Sequence, residues 1–258
     1  MLAALWLAAR ALLHYPALPH SHVISVHDTV GVAQLVFASV AGAGALVALL
    51  VAYRRQRVAE DRTPVFNQRF ATIAAQLGDD KPAVRLSGVH AMAGLADDWK
   101  ENRQTCVDVL CSYLRLPYDP DPGEDIAPGD RARHYRANRE VRHTIIRLIC
   151  THLRPGAVVS WQGRNLDFTG VAFDGGDFFG AVFSGGTVNF IDAQFSGGTV
   201  HFGDAQFSGG TVDFSGAQFS GGEVNFSRVA DWSHPPEFSW GGSPPSGVRL
   251  PAHDGGEP

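Results

Sequence analysis

Phenylalanine recurs in a strict rhythm between Phe168 and Phe226. The first four steps from Phe168 are 5, 5, 5 and 7 residues, and steps of 5 and 7 then alternate to the end. A short fixed period predicts a repeat architecture, because one unit cannot bury its apolar face alone and successive units must stack. The predicted core ladder consists of Phe168, Phe173, Phe178, Phe183, Phe190, Phe195, Phe202, Phe207, Phe214, Phe219 and Phe226.

The residues around each phenylalanine predict short strands joined by tight corners. The residue two places earlier is mostly small or apolar, as at Val171 and Ala193, and the residue immediately before is mostly polar, as at Asn189 and Gln194. This alternation has the period of two that a strand requires. Many of the phenylalanines are followed by Ser-Gly or Ser-Gly-Gly-Thr, and glycine tolerates the positive φ angles of tight corners.

The pattern resembles the pentapeptide-repeat family. The units that carry the resemblance are GVAFD at 170–174, GAVFS at 180–184 and AQFSG at 193–197, 205–209 and 217–221. The resemblance implies a right-handed, four-sided β-helix across residues 157–228. Eleven phenylalanine-centred faces at four per coil predict about three coils, a stack of roughly 13 Å. Every second unit holds two extra residues, which predicts two bulged corners per coil on opposite edges.

Residues 30–53 predict a transmembrane helix. The 24 residues carry no charge, and Gln34 is the only strongly polar side chain. At 1.5 Å per residue they span about 36 Å, which exceeds the hydrocarbon core of about 30 Å. The arginines that follow are Arg54, Arg55 and Arg57. By the positive-inside rule we expect a cell (inner) membrane protein with all residues after Tyr53 in the cytoplasm.

Residues 1–29 form an apolar segment and a loop. Arg10 interrupts the apolar run, so a short first span and an interfacial helix both stay open for residues 2–18. A buried helix in a soluble domain is the alternative for residues 30–53, and it would normally show a polar face. Small residues recur four apart at Ala41 and Ala45, which leaves room for a homo-oligomer.

Residues 54–156 predict a small helical domain that loosely resembles HEAT or armadillo units. Apolar residues at helical spacing predict helices that begin at Pro64, Pro82, Asn102 and Arg131. A loop over 117–130 precedes the fourth helix. We interpret the basic stripe on that helix as a solvated face, with contact to anionic lipid as the alternative. Its members are Arg131, Arg133, Arg136, Arg139, Arg142 and Arg147.

Charge and residue types exclude several classes of site. Residues 164–228 hold 2 Lys/Arg against 7 Asp/Glu, so this acidic repeat region is a poor candidate for direct binding to nucleic acid. Three cysteines, without paired CxxC spacing, are expected to be buried and reduced. We predict no catalytic, cofactor or metal site, and no cofactor. The repeat aspartates Asp174, Asp177, Asp192, Asp204 and Asp213 and the neighbouring His201 are expected to face outward, the aspartates aiding solubility.

The order of segments resembles actinobacterial membrane-associated pentapeptide-repeat proteins. We therefore expect a membrane-anchored cytoplasmic scaffold, not an enzyme, whose partners are the lipid bilayer and an unidentified protein. The alternative is a DNA-mimicking regulator of a DNA-binding enzyme such as gyrase, an activity that the resemblance implies for soluble members of the family. Residues 229–258 are expected to be a cap, formed by Trp232, Phe238 and Trp240, followed by a disordered tail from Gly241.

Overall fold

The computed structural model describes residues 45, 47–53, 64–118 and 129–252. The chain divides into two units, residues 1–63 and 64–258. In the first unit, residues 45 and 47–53 are helical, and the side chains of Val47, Leu49 and Leu50 are exposed. Among the described residues, no helix has both the length and the apolar character needed to cross a membrane. Most of the predicted span, residues 30–44 and 46, and the three arginines after it lie outside the described residues.

Four helices open the second unit. They are α1 (64–77), α2 (Pro82–Asp98), α3 (Arg103–Leu114) and α4 (Asp130–Leu153), with one turn of 3-10 helix at Lys100–Asn102 between α2 and α3. Each begins within one residue of the position predicted from helical spacing. Proline at the first position suits the start of α1 and α2, because the proline nitrogen has no hydrogen to leave unpaired there. Residues 119–128 of the predicted loop lie outside the described part of the chain.

Short parallel strands follow, and they stack into four walls of a β-solenoid. The strands are β1 (Leu166–Asp167), β2 (Ala172–Phe173), β3 (Gly176–Asp177), β4 (Val182–Phe183), β5 (Thr187–Asn189), β6 (Gln194–Phe195), β7 (Thr199–His201), β8 (Gln206–Phe207), β9 (Thr211–Phe214), β10 (Gln218–Phe219), β11 (Glu223–Asn225), β12 (Glu237–Phe238) and β13 (Val248–Arg249). Wall A has the order β1-β5-β9-β12, wall B β2-β6-β10, wall C β3-β7-β11-β13 and wall D β4-β8.

The strand register explains the alternating steps of 5 and 7. Asn189 pairs with Asp213 and Val200 pairs with Val224, so a full turn takes 24 residues. The extra residue pairs fall at the corner between walls B and C and at the corner between walls D and A. These corners are opposite each other, which confirms the predicted bulges. The first turn is shorter, because its corner between walls B and C has no extra pair.

The solenoid has about four turns, so the predicted count of about three was too low. Glu237–Phe238 adds a fourth strand to wall A, and Val248–Arg249 adds one to wall C. Val248 lies in register with Val224, which keeps an apolar residue at the inward position after the phenylalanine rhythm has ended. Backbone pairing continues the stack there without another phenylalanine. Residues 241–252, expected to be disordered, thus contribute a paired strand.

The phenylalanines form columns inside the solenoid. Ring centroids of Phe190 and Phe214 in wall A lie 4.4 Å apart, and those of Phe178 and Phe202 in wall C lie 4.9 Å apart. These spacings match the distance of about 4.8 Å between neighbouring strands, so each ring stacks on the ring of the next turn. Ten of the eleven predicted core phenylalanines are at most 1% exposed. Phe219 is only partly buried, because wall B ends at its strand.

The last turn is covered by the three aromatic residues expected to form a cap. Trp232 packs edge-on against Phe207 and Phe226, and Trp240 packs against Phe219 and Phe238. Phe238 also stacks on Phe214 at 5.3 Å, so it continues the column of wall A. The cap is therefore partly an extension of the solenoid itself.

Side chains from the helical region satisfy the open edge of the first turn. The Gln104 amide exchanges two hydrogen bonds with the backbone of Asn165, at 2.8 and 3.1 Å, much as a neighbouring strand would. Arg142 donates to the Ala172 carbonyl at 2.7 Å, and Arg154 donates to the Phe179 carbonyl at 2.8 Å. An uncovered strand edge invites pairing with other chains. The helical region therefore closes the solenoid and shares one hydrophobic core with it.

The basic stripe on α4 is not simply a solvated face. Arg142 is 4% exposed and donates to the Leu114 carbonyl at 2.6 Å as well as to Ala172. Arg139 also points toward the solenoid, where it pairs with Asp174. Arg136 and Arg147 are exposed, as expected. The sequence prediction was wrong for Arg139 and Arg142 because helical spacing cannot show that a second element covers the polar side of a helix.

The phenylalanine columns predict unequal costs of truncation. We expect Phe202→Ala to lower the free energy of unfolding by about 3–5 kcal/mol, because the ring is fully buried between Phe178 and Phe226. Phe219→Ala is the matched control, and its cost should be clearly smaller because that ring is only partly buried. Urea denaturation followed by circular dichroism measures both. Equal costs would contradict the packing described here.

Candidate functional site at the junction of α4 and the solenoid

One row of polar residues on α4 faces the start of wall C. Arg139, His143 and Arg147 lie four residues apart, and residues at this spacing share one side of a helix. Opposite them is the short corner of the first turn, which contains Asp174 and Gly175. Because this corner has no extra residue pair, α4 can approach the solenoid closely here.

Asp174 is the centre of the junction. Its Oδ1 lies 2.8 Å from Nε2 of His143, and its Oδ2 accepts hydrogen bonds from Tyr118 at 2.8 Å, Tyr135 at 3.0 Å and Arg139 at 2.9 Å. Arg139 also donates to the Asp174 carbonyl at 3.2 Å. The Asp174 side chain is 10% exposed. The prediction that Asp174 is an outward, solubilising residue was therefore wrong.

The junction keeps Asp174 ionised. Burial alone would raise the pKa of this carboxyl, but the hydrogen bonds from His143 and Tyr118, together with the nearby His143 and Tyr135, outweigh burial and hold the pKa well below its usual range. Burial and the bond to Asp174 raise the pKa of Tyr118, so its hydroxyl stays a donor. A carboxylate with a strongly lowered pKa and both oxygens engaged is poorly suited to acid or base catalysis near neutral pH. Asp174 instead fixes α4 to the first turn.

The aromatic partners of Asp174 are themselves held in place. The rings of Tyr118 and Tyr135 are stacked with centroids 5.9 Å apart. The guanidinium carbon of Arg142 lies 4.3 Å from the centre of the Tyr118 ring, a cation–π contact. Burial lowers the pKa of Arg142, yet its ordinary value is far above neutral pH and it remains charged. The carboxylate thus lies in a prearranged set of donors.

Glycines let the two elements meet at this point. Gly176 occupies the inward position that Val200 and Val224 hold in the next two turns. A Cβ atom on Gly176 would already lie 3.7 Å from Cγ2 of Ile146 in α4, so a valine side chain would meet the helix. Gly198 has a φ of +63°, and a Cβ there would lie 2.6 Å from the Asp174 carbonyl oxygen. Close stacking at this corner therefore requires glycine at 198.

A cleft of about 490 Å³ opens beside the junction. It lies between the α4 row and strands β3 and β7. The lining residues that can form charged or polar contacts are Arg139, His143, Arg147, Asp174, Asp177, Thr199 and His201. His201 is exposed, as predicted for its slot in the repeat, and it contributes to one wall of this cleft.

The other repeat aspartates shape corners. Asp177 accepts a hydrogen bond from the Phe179 amide at 3.0 Å, and Asp213 accepts one from the Ser215 amide at 2.7 Å. These side-chain bonds to an amide two residues later are Asx turns. Asp192 and Asp204 have φ angles of 54° and 53°, which aspartate tolerates better than most residues. Asp177, Asp192 and Asp204 are exposed, as expected, and Asp213 is half-buried.

A second polar cluster joins α2, α4 and the segment before β1. Asp97 accepts a hydrogen bond from the indole of Trp161 at 2.9 Å and lies 3.0 Å from Nε2 of His152. The His152 and Trp161 rings stack with centroids 4.1 Å apart. The sequence placed His152 on the buried face of the fourth helix but gave no sign of its partners. The cluster orients α4, which carries the row facing the cleft.

The three cysteines are free and buried, as expected. Burial raises the pKa of Cys106 to about 11 and that of Cys111 to about 12, and it also raises the pKa of Cys150. Thiols with such pKa values are poor nucleophiles at neutral pH. Within the described ranges, no group of three or more His, Cys, Asp or Glu side chains is arranged to hold a metal ion. The three histidines before residue 30 lie outside those ranges.

The sequence contained two signals of the junction that the repeat analysis did not use. The step from Phe173 to Phe178 is 5, whereas the same corner takes 7 residues in the next two turns. Asp174 also stands in the slot that Ser196 and Ser220 occupy. A shortened corner with a charged residue at its start indicates that another element packs there.

Replacing the central carboxylate should destabilise the protein in a pH-dependent way. We expect Asp174→Asn to lower the free energy of unfolding by about 3 kcal/mol at pH 7, because it removes the charge from a buried set of donors. The folded-state pKa of Asp174 is lowered, so the stabilisation is present above the unfolded value of about 3.9 and is lost as the pH falls toward the folded value. The difference from the native chain should therefore narrow below about pH 4.

Urea denaturation over a pH series measures this difference. Asp192→Asn is the matched control, since Asp192 is exposed and asparagine tolerates its φ of 54°. The control should change stability by less than about 0.5 kcal/mol at every pH. A gap for Asp174→Asn that does not vary with pH would contradict the role given to the carboxylate.

Comparison with known proteins returned no match to a family model, a curated protein or a solved structure. The function is therefore argued from the fold and the junction alone.

Proposed function

We propose that this protein is a membrane-tethered platform for protein–protein interaction, built on a pentapeptide-like solenoid. The observation that carries the proposal is the single hydrophobic core shared by the helices and the solenoid. Leu114 in α3 and Ile149 in α4 belong to the same cluster of buried residues as Phe168 and Phe226. Residues 64–252 are thus one stiff body whose outer walls keep a fixed geometry.

The solenoid walls offer regular rows of exposed side chains. On wall A, Thr187 lies in register with Thr211, and on wall B, Gln194 lies in register with Gln218. These four side chains are exposed. Neighbouring turns repeat at about 4.8 Å, so a partner meets the same polar groups at even intervals. Rigid repeat surfaces of this kind typically serve recognition of other proteins.

The tether is supported by the sequence of residues 30–53 and by the described end of that segment. Residues 47–53 are helical, and Val47 and Leu49 are 62% and 69% exposed. Apolar side chains on a helix with no protein partner suit a lipid environment. With arginines directly after Tyr53, the proposed location of the platform is the cytoplasmic side of the membrane.

The acidic solenoid favours one alternative, a DNA-mimicking regulator of an enzyme such as gyrase. Residues 164–228 have a formal net charge of −5, from 2 Lys/Arg and 7 Asp/Glu. Against this alternative, four strands of wall A extend only about 14 Å, the rise of about four base pairs. Two of the carboxylates, Asp167 and Asp174, are also paired with arginines within the protein.

The tether predicts that the chain fractionates with membranes and resists extraction with alkaline carbonate. Replacing Ala38 and Ala45 together with arginine should release most of the protein, since each central arginine costs about 2.5–3.5 kcal/mol in a bilayer. Ala71→Arg with Ala75→Arg is the matched control, because both alanines are exposed on α1. Immunoblots of both fractions give the result. Retention of the first variant in the membrane would contradict the tether.

The platform predicts that one wall contacts a discrete partner in cells. A photo-crosslinking amino acid at Thr211 samples wall A, and the same residue at Gln218 samples wall B; both positions are exposed and outside the core. We expect one position to yield a defined crosslinked product, identified by mass spectrometry, and the other to yield little. Equal, diffuse crosslinking from both walls would contradict specific recognition. Capture of gyrase, together with inhibition of supercoiling by the protein, would establish the alternative.

A further inference from the structure

The acceptor atoms that line the cleft are already used within the protein. Both oxygens of Asp174 are hydrogen-bonded within the junction. Asp177 accepts a bond from the Phe179 amide through Oδ1, and its Oδ2 lies 3.5 Å from Nη2 of Arg154. A ligand entering the cleft therefore meets carboxylates whose hydrogen-bonding capacity is largely taken.

The donors that line the cleft are only partly used. Arg139 engages Asp174 through Nε and Nη2, and Arg147 engages Glu140 and Thr144 through Nη2 alone, among the described residues. The Arg139 and Arg147 side chains are 43% and 62% exposed. His201 makes no hydrogen bond within the described part of the chain. The cleft therefore has a surplus of donors.

We propose that this cleft binds a phosphate-type oxyanion, with Arg139, Arg147 and His201 as the donors. Its volume of about 490 Å³ falls within the range of small-ligand sites, and guanidinium groups match the geometry of phosphate oxygens. The ion pair between Arg147 and Glu140 is exposed on both sides, so it is weak and an oxyanion can replace it. This site adds a ligand to the proposed interaction function and does not depend on it.

A phosphate group reaches the cleft from one of two sources. It is free in solution, as inorganic phosphate or a small phosphate ester, or it is the phosphomonoester headgroup of a lipid. The same donors would bind either one. The source is decided by presenting the two forms separately.

The test measures thermal stability of the full chain in detergent with increasing inorganic phosphate, against sodium chloride of equal ionic strength. Binding to the folded state raises the Tm in a concentration-dependent way. In Arg147→Gln with His201→Gln, we expect the apparent Kd for phosphate to rise by about tenfold or more, because two donors to a charged group are lost. Glutamine is already used in other outward slots of the repeat, such as Gln194 and Gln218.

Arg136→Gln is the matched control for the loss of charge. Arg136 is exposed on α4 and does not line the cleft, so its removal should leave the phosphate response unchanged. Arg139 is left in place because it also holds Asp174.

A parallel measurement uses nanodiscs of phosphatidylcholine with or without phosphatidic acid, in the absence of free phosphate. A rise in Tm with phosphatidic acid that the double variant abolishes assigns the site to lipid headgroups. A response confined to inorganic phosphate assigns it to a soluble ligand. The proposal is overturned when neither form raises the Tm above the chloride reference, or when the double variant and Arg136→Gln respond as the native chain does.

Discussion

The distance between parallel strands, about 4.8 Å, is the constraint on which the solenoid depends. Flat aromatic rings stack at nearly the same distance, so a phenylalanine at each inward position fills the interior turn after turn. Phe190 and Phe214, with centroids 4.4 Å apart, show this match most closely. A column of this kind holds its register because a slip of one residue would turn each ring outward.

A stacked solenoid leaves two open ends, and this chain closes them differently. The last turn is covered by its own aromatic residues, Trp232, Phe238 and Trp240. The first turn is covered by the helices, whose Gln104, Arg142 and Arg154 bind backbone groups that a neighbouring strand would otherwise bind. Asp174 then fixes α4 against that turn. The same junction leaves the cleft beside it, so closure of the solenoid and the candidate site have a common origin.

The parts predicted well from sequence are those with a regular period. The helix starts, the strand pattern and the paired corner bulges follow from spacing, because each repeats many times or carries a local signal such as Pro64 or Pro82. The fourth turn was missed because Val248–Arg249 joins wall C through backbone pairing, without a phenylalanine. Asp174 was misread because it was counted as one member of a repeated set, whereas its short corner made it different. The anchor at residues 30–53 and the partner stay predictions.

The sequence by itself determined that residues 166–226 form a solenoid with an aromatic interior, because spacing along the chain decides which side chains face inward. Only the tertiary structure decided what the arginines of α4 do. Arg139 and Arg142 look alike in sequence and share a helix with Arg136, yet the first binds a buried carboxylate, the second caps a strand edge and Arg136 is exposed. Their roles depend on groups more than 25 residues away along the chain, Asp174 and Ala172, which the fold brings to within hydrogen-bonding distance.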